Sequence, residues 1–100
     1  MQVDVRLSPG GDFFEAQVDG KHAGQLEFLR RDGAIVYTHT EVDPEFEGKG
    51  VGGVLARTAL DAARAEGAKI VPLCSFVKNW IGKHPEYGDL LNDRSAGHEG

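Results

Sequence analysis

Residues 42–53, Val42-Asp-Pro-Glu-Phe-Glu-Gly-Lys-Gly-Val-Gly-Gly53, join two segments that follow different periodicities. The preceding segment, residues 34–42, is rich in β-branched residues and indicates a strand. The following segment, residues 51–66, repeats apolar residues at helical spacing. A strand that leads through glycines into a helix leaves backbone N–H groups unpaired at the helix start, where the helix dipole adds partial positive charge. The stretch therefore predicts a seat for an anion, most often a phosphate.

The rest of the chain supplies a sheet on which this helix can pack. Alternating or β-branched residues predict four strands before the helix, at residues 3–7, 13–18, 22–30 and 34–42. Short glycine-containing turns connect them, which is typical of an antiparallel meander. A fifth, short strand is predicted at residues 69–73. The strand–helix–strand unit makes the fourth and fifth strands parallel, with a right-handed crossover.

The predicted fold class is α/β (α+β), in one domain. It has a mixed, mostly antiparallel sheet, one long helix at residues 51–66 capped by Gly67, and short C-terminal helices at residues 74–81 and 85–91. We expect the domain to span residues 1–92. The polar residues from Asn92 onward are expected to fray, with a disordered tail at 93–100.

Composition restricts the partners. The formal net charge is −5, whereas nucleic-acid surfaces need clustered Lys and Arg. No apolar run approaches the ~20 residues that span a bilayer, and the N-terminus lacks the apolar core of a signal peptide. The single cysteine, Cys74, cannot form an internal disulfide, and the His and Cys residues lack metal-ligand spacing. We expect a cytoplasmic protein, monomeric or weakly dimeric, with no metal and no nucleic-acid or membrane partner.

Two well-known phosphate loops do not fit the glycine stretch. Gly48, Gly50 and Gly53 match G-x-G-x-x-G. The dinucleotide fingerprint also needs an acidic residue about 20 positions on, at the end of the next strand, and here that strand ends in Pro72-Leu-Cys74. The Walker pattern fails because no Gly-Lys-Ser/Thr closes the loop. A glycine-rich connection that binds nothing stays as the alternative.

The loop resembles the pyrophosphate loop of the GNAT N-acetyltransferases, Gln/Arg-x-x-Gly-x-Gly/Ala, which follows the fourth strand and opens a long helix. Residues Glu47-Gly-Lys-Gly-Val-Gly52 occupy that pattern. The segments Val71-Pro-Leu-Cys-Ser-Phe-Val-Lys-Asn-Trp80 and His84-Pro-Glu-Tyr87 extend the resemblance to the short, single-domain YjdJ-type members, over roughly residues 5–92. The resemblance implies a minimal GNAT-like fold that binds acetyl-CoA (acetyl-coenzyme A), with pantetheine between splayed strands four and five.

The resemblance also assigns contacts with coenzyme A. The assigned residues are Val42, Glu47, Gly48, Lys49, Gly50, Val51, Gly52, Gly53 and Asn79. A backbone N–H near Glu41 or Val42 would meet the thioester carbonyl. The alternative for Asn79 is an exposed helix residue without a ligand.

One position departs from the family pattern, because Glu47 stands where Gln or Arg is usual. Three further carboxylates lie close in sequence, namely Glu41, Asp43 and Glu45. Negative charge near a pyrophosphate is unfavourable, and Lys49 offsets only part of it. We expect weaker binding of coenzyme A unless Glu47 turns outward. The acidic cluster can instead attract an amine, or form a solvated loop.

Two side chains are the candidates for the chemistry. Cys74 is predicted to end a strand and begin a helix, where free N–H groups favour a thiolate. It is either an acyl-accepting nucleophile or a small buried hydrophobe. His39 is predicted to share a face of the fourth strand with Tyr37 and Glu41. It is either the base for the acceptor amine or a structural histidine.

The leading hypothesis is an acetyl-CoA-dependent N-acetyltransferase whose small-molecule or protein amine acceptor is unidentified. Direct attack by the amine, with His39 or a water as base, is the default mechanism. Transfer through acetyl-Cys74 is the second. A non-catalytic acyl-CoA-binding module, acting as a sensor or for a partner protein, is the alternative function. A small interaction domain whose glycine loop binds nothing is the third.

Overall fold

The computed structural model describes residues 1–92, so the predicted tail at 93–100 lies outside the described residues. Five strands form one sheet in the order of the chain. They are β1 (Val3–Leu7), β2 (Phe13–Val18), β3 (Lys21–Arg31), β4 (Ala34–Val42) and β5 (Lys69–Pro72). β1 to β4 pair antiparallel, whereas β4 and β5 pair parallel. The predicted mixed sheet, with its meander and β-α-β unit, is confirmed.

Two α-helices complete the fold, α1 (Val51–Glu66) and α2 (Ser75–Lys83). Two 3₁₀ segments, Pro44–Phe46 and Pro85–Leu90, precede α1 and follow α2. α1 has the predicted bounds. α2 ends at Lys83, two residues beyond its predicted end at residue 81. The first residue that disfavours the helical conformation is His84, because it precedes a proline.

The end of the described chain is held against the sheet. The N–H of Asn92 donates to the carbonyl oxygen of Ile70 at 2.9 Å, and Leu91 forms a parallel bridge with Ile70. These contacts cover the outer edge of β5, which would otherwise present unpaired backbone groups. The prediction that fraying begins at Asn92 is therefore wrong.

α1 packs on one face of the sheet through an apolar stripe. Leu55, Ala59, Leu60 and Ala63 join a core that includes Tyr37. Full burial of a leucine side chain contributes about 1.5–3 kcal/mol. The other face of the sheet, here called the open face, carries polar side chains that are exposed or half-buried. These are Glu15, His22, Gln25, Glu27, His39 and Glu41.

β4 carries a bulge at Thr38. Tyr37 pairs with Phe28 on β3, and the next paired residues are His39 and Glu27, which leaves Thr38 as the extra residue. A bulge shifts the alternation of side chains by one position. Tyr37 is therefore 1% exposed in the core, while His39 lies on the open face with 57% of its side chain exposed. The prediction that His39 and Tyr37 share a face is wrong for this reason.

β4 and β5 part just beyond Tyr37. Their pairing ends where Tyr37 lies opposite Pro72. The carbonyl oxygen of Tyr37 then accepts the N–H of Leu73 at 3.0 Å and that of Cys74 at 2.9 Å. The chain turns away into α2 at this point, while β4 continues through residues 38–42. We call the gap between that part of β4 and the start of α2 the fork.

The phenol of Tyr37 makes stability depend on pH in the alkaline range. Burial raises the pKa of Tyr37 above its ordinary value, because a phenolate in the core would lose its hydration. The unfolded chain releases this proton near pH ~10, before the folded chain does. The stability that Tyr37 provides is thus fully present below pH ~10 and is lost as pH rises toward the folded pKa, by about 1.4 kcal/mol per pH unit.

Chemical denaturation of the wild type and of Tyr37→Phe between about pH 9 and 11 tests this prediction. The variant keeps the ring but cannot ionise, so its unfolding free energy should fall less steeply. Tyr87, whose pKa is raised by its hydrogen bond to Asp61, titrates in both proteins and cancels in the comparison. Equal slopes for the two proteins would contradict the account.

Candidate functional site

The loop between β4 and α1 exposes backbone donors. Gly48 and Gly50 have φ angles of 78° and 84°, which residues with a Cβ adopt only with strain. Gly50 is the N-cap of α1, so it provides no capping side chain, and the first turn holds no acidic residue. Among residues 1–92, the N–H groups of residues 50–53 donate to no protein acceptor. These donors and the helix dipole lie together where the sequence predicts an anion seat.

A cleft of about 450 Å³ lies over this seat. The end of β4, the loop, the first turn of α1 and α2 form its walls. The lining residues are Val42, Phe46, Glu47, Gly48, Gly50, Val51, Gly52, Gly53, Phe76 and Trp80. The structure thus brings together seven of the nine residues that were predicted to bind the cofactor. Lys49 and Asn79, both exposed, do not line the cleft.

α2 presents two aromatic rings to the cleft, Phe76 and Trp80, which are one helical turn apart. A Cβ on Gly52 would lie 2.6 Å from Cζ of Phe76, so the ring needs the absence of a side chain there. A Cβ on Gly53 would lie 3.5 Å from Nε1 of Trp80, an ordinary contact. Neither ring was among the residues predicted to bind the cofactor. Their i, i+4 spacing was the signal that they share one face of α2.

Cys74 lies at the fork. It is the N-cap of α2 and is 8% exposed. Its Sγ is 3.1 Å from Oγ1 of Thr40, and either atom can donate. Thr40 faces the thiol because the bulge turns it inward. If side chains alternated strictly along β4, Thr40 would lie on the opposite face. No pattern in the sequence therefore predicted this contact.

His39 lies on the other side of β4 from Cys74. Its Nε2 is 3.9 Å from Oε1 of Glu41 on the open face. Thr40, between them in the chain, points toward the thiol. The structure therefore does not gather His39 and Cys74 into one pocket, although both border the fork.

The backbone of β4 presents a free edge to the fork. The N–H of Asp43 donates to the carbonyl oxygen of Ala23 on β3 at 2.8 Å. Because successive residues of a strand direct their backbone groups to opposite edges, the N–H of Val42 points away from β3. Of the two predicted donors, Val42 and not Glu41 has its N–H directed into the fork.

Most of the carboxylates near the loop have local partners. Glu45 forms a salt bridge with Lys21 at 3.2 Å, and Asp43 accepts the N–H of Glu45 at 3.0 Å. Glu47 lines the cleft, and its carboxylate has no partner among residues 1–92. The unfavourable charge beside the anion seat is thus mainly that of Glu47.

Residues 1–92 contain neither a cluster of metal ligands nor a helix that could span a membrane. No group of three or more His, Cys, Asp and Glu side chains within residues 1–92 is placed to hold a metal ion. Neither α1 nor α2, the two α-helices of these residues, has the length and apolar character that crossing a bilayer requires.

The fold has a solved relative. The solution NMR structure of a GCN5-like protein from Staphylococcus aureus aligns with a TM-score of 0.72 over 96% of this chain and 92% of that chain. Because the two sequences are 24% identical, this likeness shows the fold. No curated protein matches the sequence significantly.

The sequence also matches a family model, that of the GCN5-related N-acetyl-transferases, over residues 13–90. The matched range contains the loop, the cleft and the fork. Membership of the YjdJ-type subfamily stays a prediction. The chain belongs to the GCN5-related N-acetyltransferase (GNAT) family.

Proposed function

We propose that the protein transfers an acetyl group from acetyl-CoA to an amine. One observation carries the proposal: the unpaired N–H groups of residues 50–53 floor a cleft that borders the fork. Pyrophosphate oxygens are suited to such donors. Pantetheine is an extended chain with two amides, so it can lie along the free edge of β4 as an added strand would. Membership of the family supports the acetyl group as cargo.

The fork offers a place for the thioester. The N–H of Val42 points into it and can donate to the carbonyl oxygen, whose negative charge grows as a nucleophile attacks. The amine nitrogen bonds to the carbonyl carbon, the carbon–sulfur bond breaks, and the departing thiolate takes up the proton that the amine gives off. A fixed backbone donor requires no reorganisation during this step.

The acceptor approaches from the open face in this proposal. The cofactor occupies the cleft on the helix side of β4, which leaves the other side of the fork accessible. His39 is exposed there beside Glu41 and can take the first proton of a protonated amine before its nitrogen attacks, while the proton released on attack goes to the thiolate. The neighbouring carboxylates of the open face favour a cationic acceptor.

A two-step route through Cys74 is the second mechanism. Its Sγ would bond to the acetyl carbon as the bond to the coenzyme A sulfur breaks, and coenzyme A would leave as the thiol with the proton of Cys74. The acetyl group would then pass to the amine. The hydroxyl of Thr40, 3.1 Å from Sγ, can donate to the thiolate and hold it toward the fork.

A specific observation favours a second function, that of a non-catalytic acyl-CoA-binding module. His39 and Cys74 lie on opposite sides of β4, so no single pocket combines the two candidate catalytic groups. Such a module needs the cleft and the loop but not His39. Measurements of binding and of turnover distinguish the two functions.

Binding is tested first, with the fluorescence of Trp80. This residue is the only tryptophan of the chain and lines the cleft, so its emission reports occupancy. We expect saturable quenching or enhancement with coenzyme A, and none with NAD or ATP. No saturable change with coenzyme A, together with no thermal stabilisation, would contradict both functions and leave an interaction domain.

A pair of glycine substitutions tests where the ligand binds. Gly52→Ala would push the ring of Phe76 into the cleft and should weaken binding of coenzyme A about tenfold. Gly82→Ala adds the same methyl group to α2, where no atom lies within 4 Å of it, away from the residues that line the cleft, and should bind as the wild type does. Equal affinities in the two variants would show that the ligand does not use this cleft.

Turnover is tested by thiol release from acetyl-CoA with a panel of amines. His39→Gln should lower the rate about 100-fold, the scale of a lost general base. His22→Gln removes another histidine of the open face, which pairs with Glu15 at 2.7 Å, and should leave the rate unchanged. Equal rates in the two variants would exclude His39 as the base. No release with any amine would favour the binding module.

The route through Cys74 has its own measurement. Intact mass after incubation with acetyl-CoA should show one added acetyl group if the two-step route operates, and Cys74→Ser should lack it. Thr40→Val removes the hydroxyl beside Sγ and should slow formation of the adduct, whereas Thr40→Ser should not. A wild type that turns over without an adduct would establish direct transfer.

A further inference from the structure

A cation of α1, Arg57, lies against Trp80, which lines the cleft. Arg57 follows Gly53 by four residues, so the two lie on one face of the helix. The guanidinium of Arg57 lies against the rings of Trp80 and Tyr87. Trp80 lies next to both Gly53 and Arg57. Its Nε1 lies beside Gly53, and Cζ of Arg57 lies 5.3 Å from the centroid of its ring.

Uncharged groups hold this guanidinium. Nη1 of Arg57 donates to the hydroxyl of Tyr87 at 3.1 Å, and Cζ lies 5.8 Å from the centroid of the Tyr87 ring. The phenol in turn donates to Asp61 at 2.7 Å, so the nearby carboxylate is bound to Tyr87. Arg57 forms no ion pair with any of residues 1–92. It therefore keeps its full charge and most of its N–H donors.

Two other arginines, Arg64 on α1 and Arg30 on β3, do form ion pairs with carboxylates. Arg64 forms two hydrogen bonds with the carboxylate of Asp89, at 2.8 and 2.9 Å. Arg30 forms two with Glu66, at 2.6 and 3.1 Å. Both guanidinium groups are neutralised within the protein. Arg57 instead has one hydrogen bond to a neutral hydroxyl and contacts with two rings, as expected of an arginine whose anion comes from outside.

We infer that Arg57 binds the 3′-phosphate on the ribose of coenzyme A. This inference rests on the proposed function, which puts the pyrophosphate at residues 50–53. Gly53 and Arg57 are about 6 Å apart along the helix, and coenzyme A carries its phosphate monoester on the ribose next to the pyrophosphate. The chain has a net charge of −5, so a dianionic phosphate needs a local cation. Arg57 therefore distinguishes coenzyme A from the form that lacks this phosphate.

Titration calorimetry with coenzyme A and with 3′-dephospho-coenzyme A tests the inference. We expect the wild type to bind coenzyme A about fivefold more tightly, which is the size of an exposed charge pair. In Arg57→Gln the two ligands should bind equally. Arg57→Lys keeps the charge and should retain part of the preference. Arg64→Gln removes a positive charge from the same helix, about two turns farther from the seat, and should keep the wild-type preference.

The outcomes separate this inference from the proposed function. If both ligands bind the wild type equally, or if the preference survives in Arg57→Gln, Arg57 does not read the phosphate while coenzyme A binding stands. If neither ligand binds, the proposed function fails and the inference with it. Thermal unfolding of Arg57→Gln accompanies the titration. A folded variant that binds dephospho-coenzyme A as the wild type does shows that the lost preference is not a loss of structure.

Discussion

The double hydrogen bond to the carbonyl oxygen of Tyr37 is the constraint on which the site depends. By accepting the N–H groups of both Leu73 and Cys74, this oxygen ends the parallel pairing of β4 and β5 and turns the chain into α2. The turn puts Cys74 at the N-cap of α2. It also leaves the rest of β4 without a strand on that side, so a free backbone edge meets the cleft. A longer β5 would close the fork and remove the place for an extended ligand.

Charge around the loop is arranged so that an anion can enter a protein of net charge −5. Asp43 caps the 3₁₀ turn before the loop, and Glu45 pairs with Lys21, so both carboxylates are engaged away from the seat. The backbone donors of residues 50–53 then line the cleft, and Arg57, which has no ion-pair partner among residues 1–92, lies against the cleft residue Trp80. Glu47 is the remaining unfavourable charge. In the proposed complex with coenzyme A, this charge predicts weaker binding than in family members with Gln or Arg there.

Local periodicity predicted the elements of the fold. It could not predict which side chains of β4 face the site, because the bulge at Thr38 shifts their alternation. α1 and β4 have the predicted bounds because apolar spacing and glycine turns are local signals. The glycine loop was recognised because its donors are backbone groups that a helix start always leaves unpaired. The contact between Thr40 and Cys74 and the exposure of His39 depend on the extra residue in β4. That residue is set by pairing with β3, which no single segment of sequence reveals.

In the proposed function, the unpaired N–H groups at the start of α1 hold the pyrophosphate of coenzyme A. Backbone amide NMR of the ¹⁵N-labelled protein during titration with coenzyme A tests it directly. The account predicts that the amide protons of residues 50–53 shift downfield and saturate together, because each gains an oxygen acceptor. The amides of the open face, such as those of Glu15 and His22, should move little. Saturable shifts confined to the open face, or unchanged amides at residues 50–53 with bound ligand, would contradict the account.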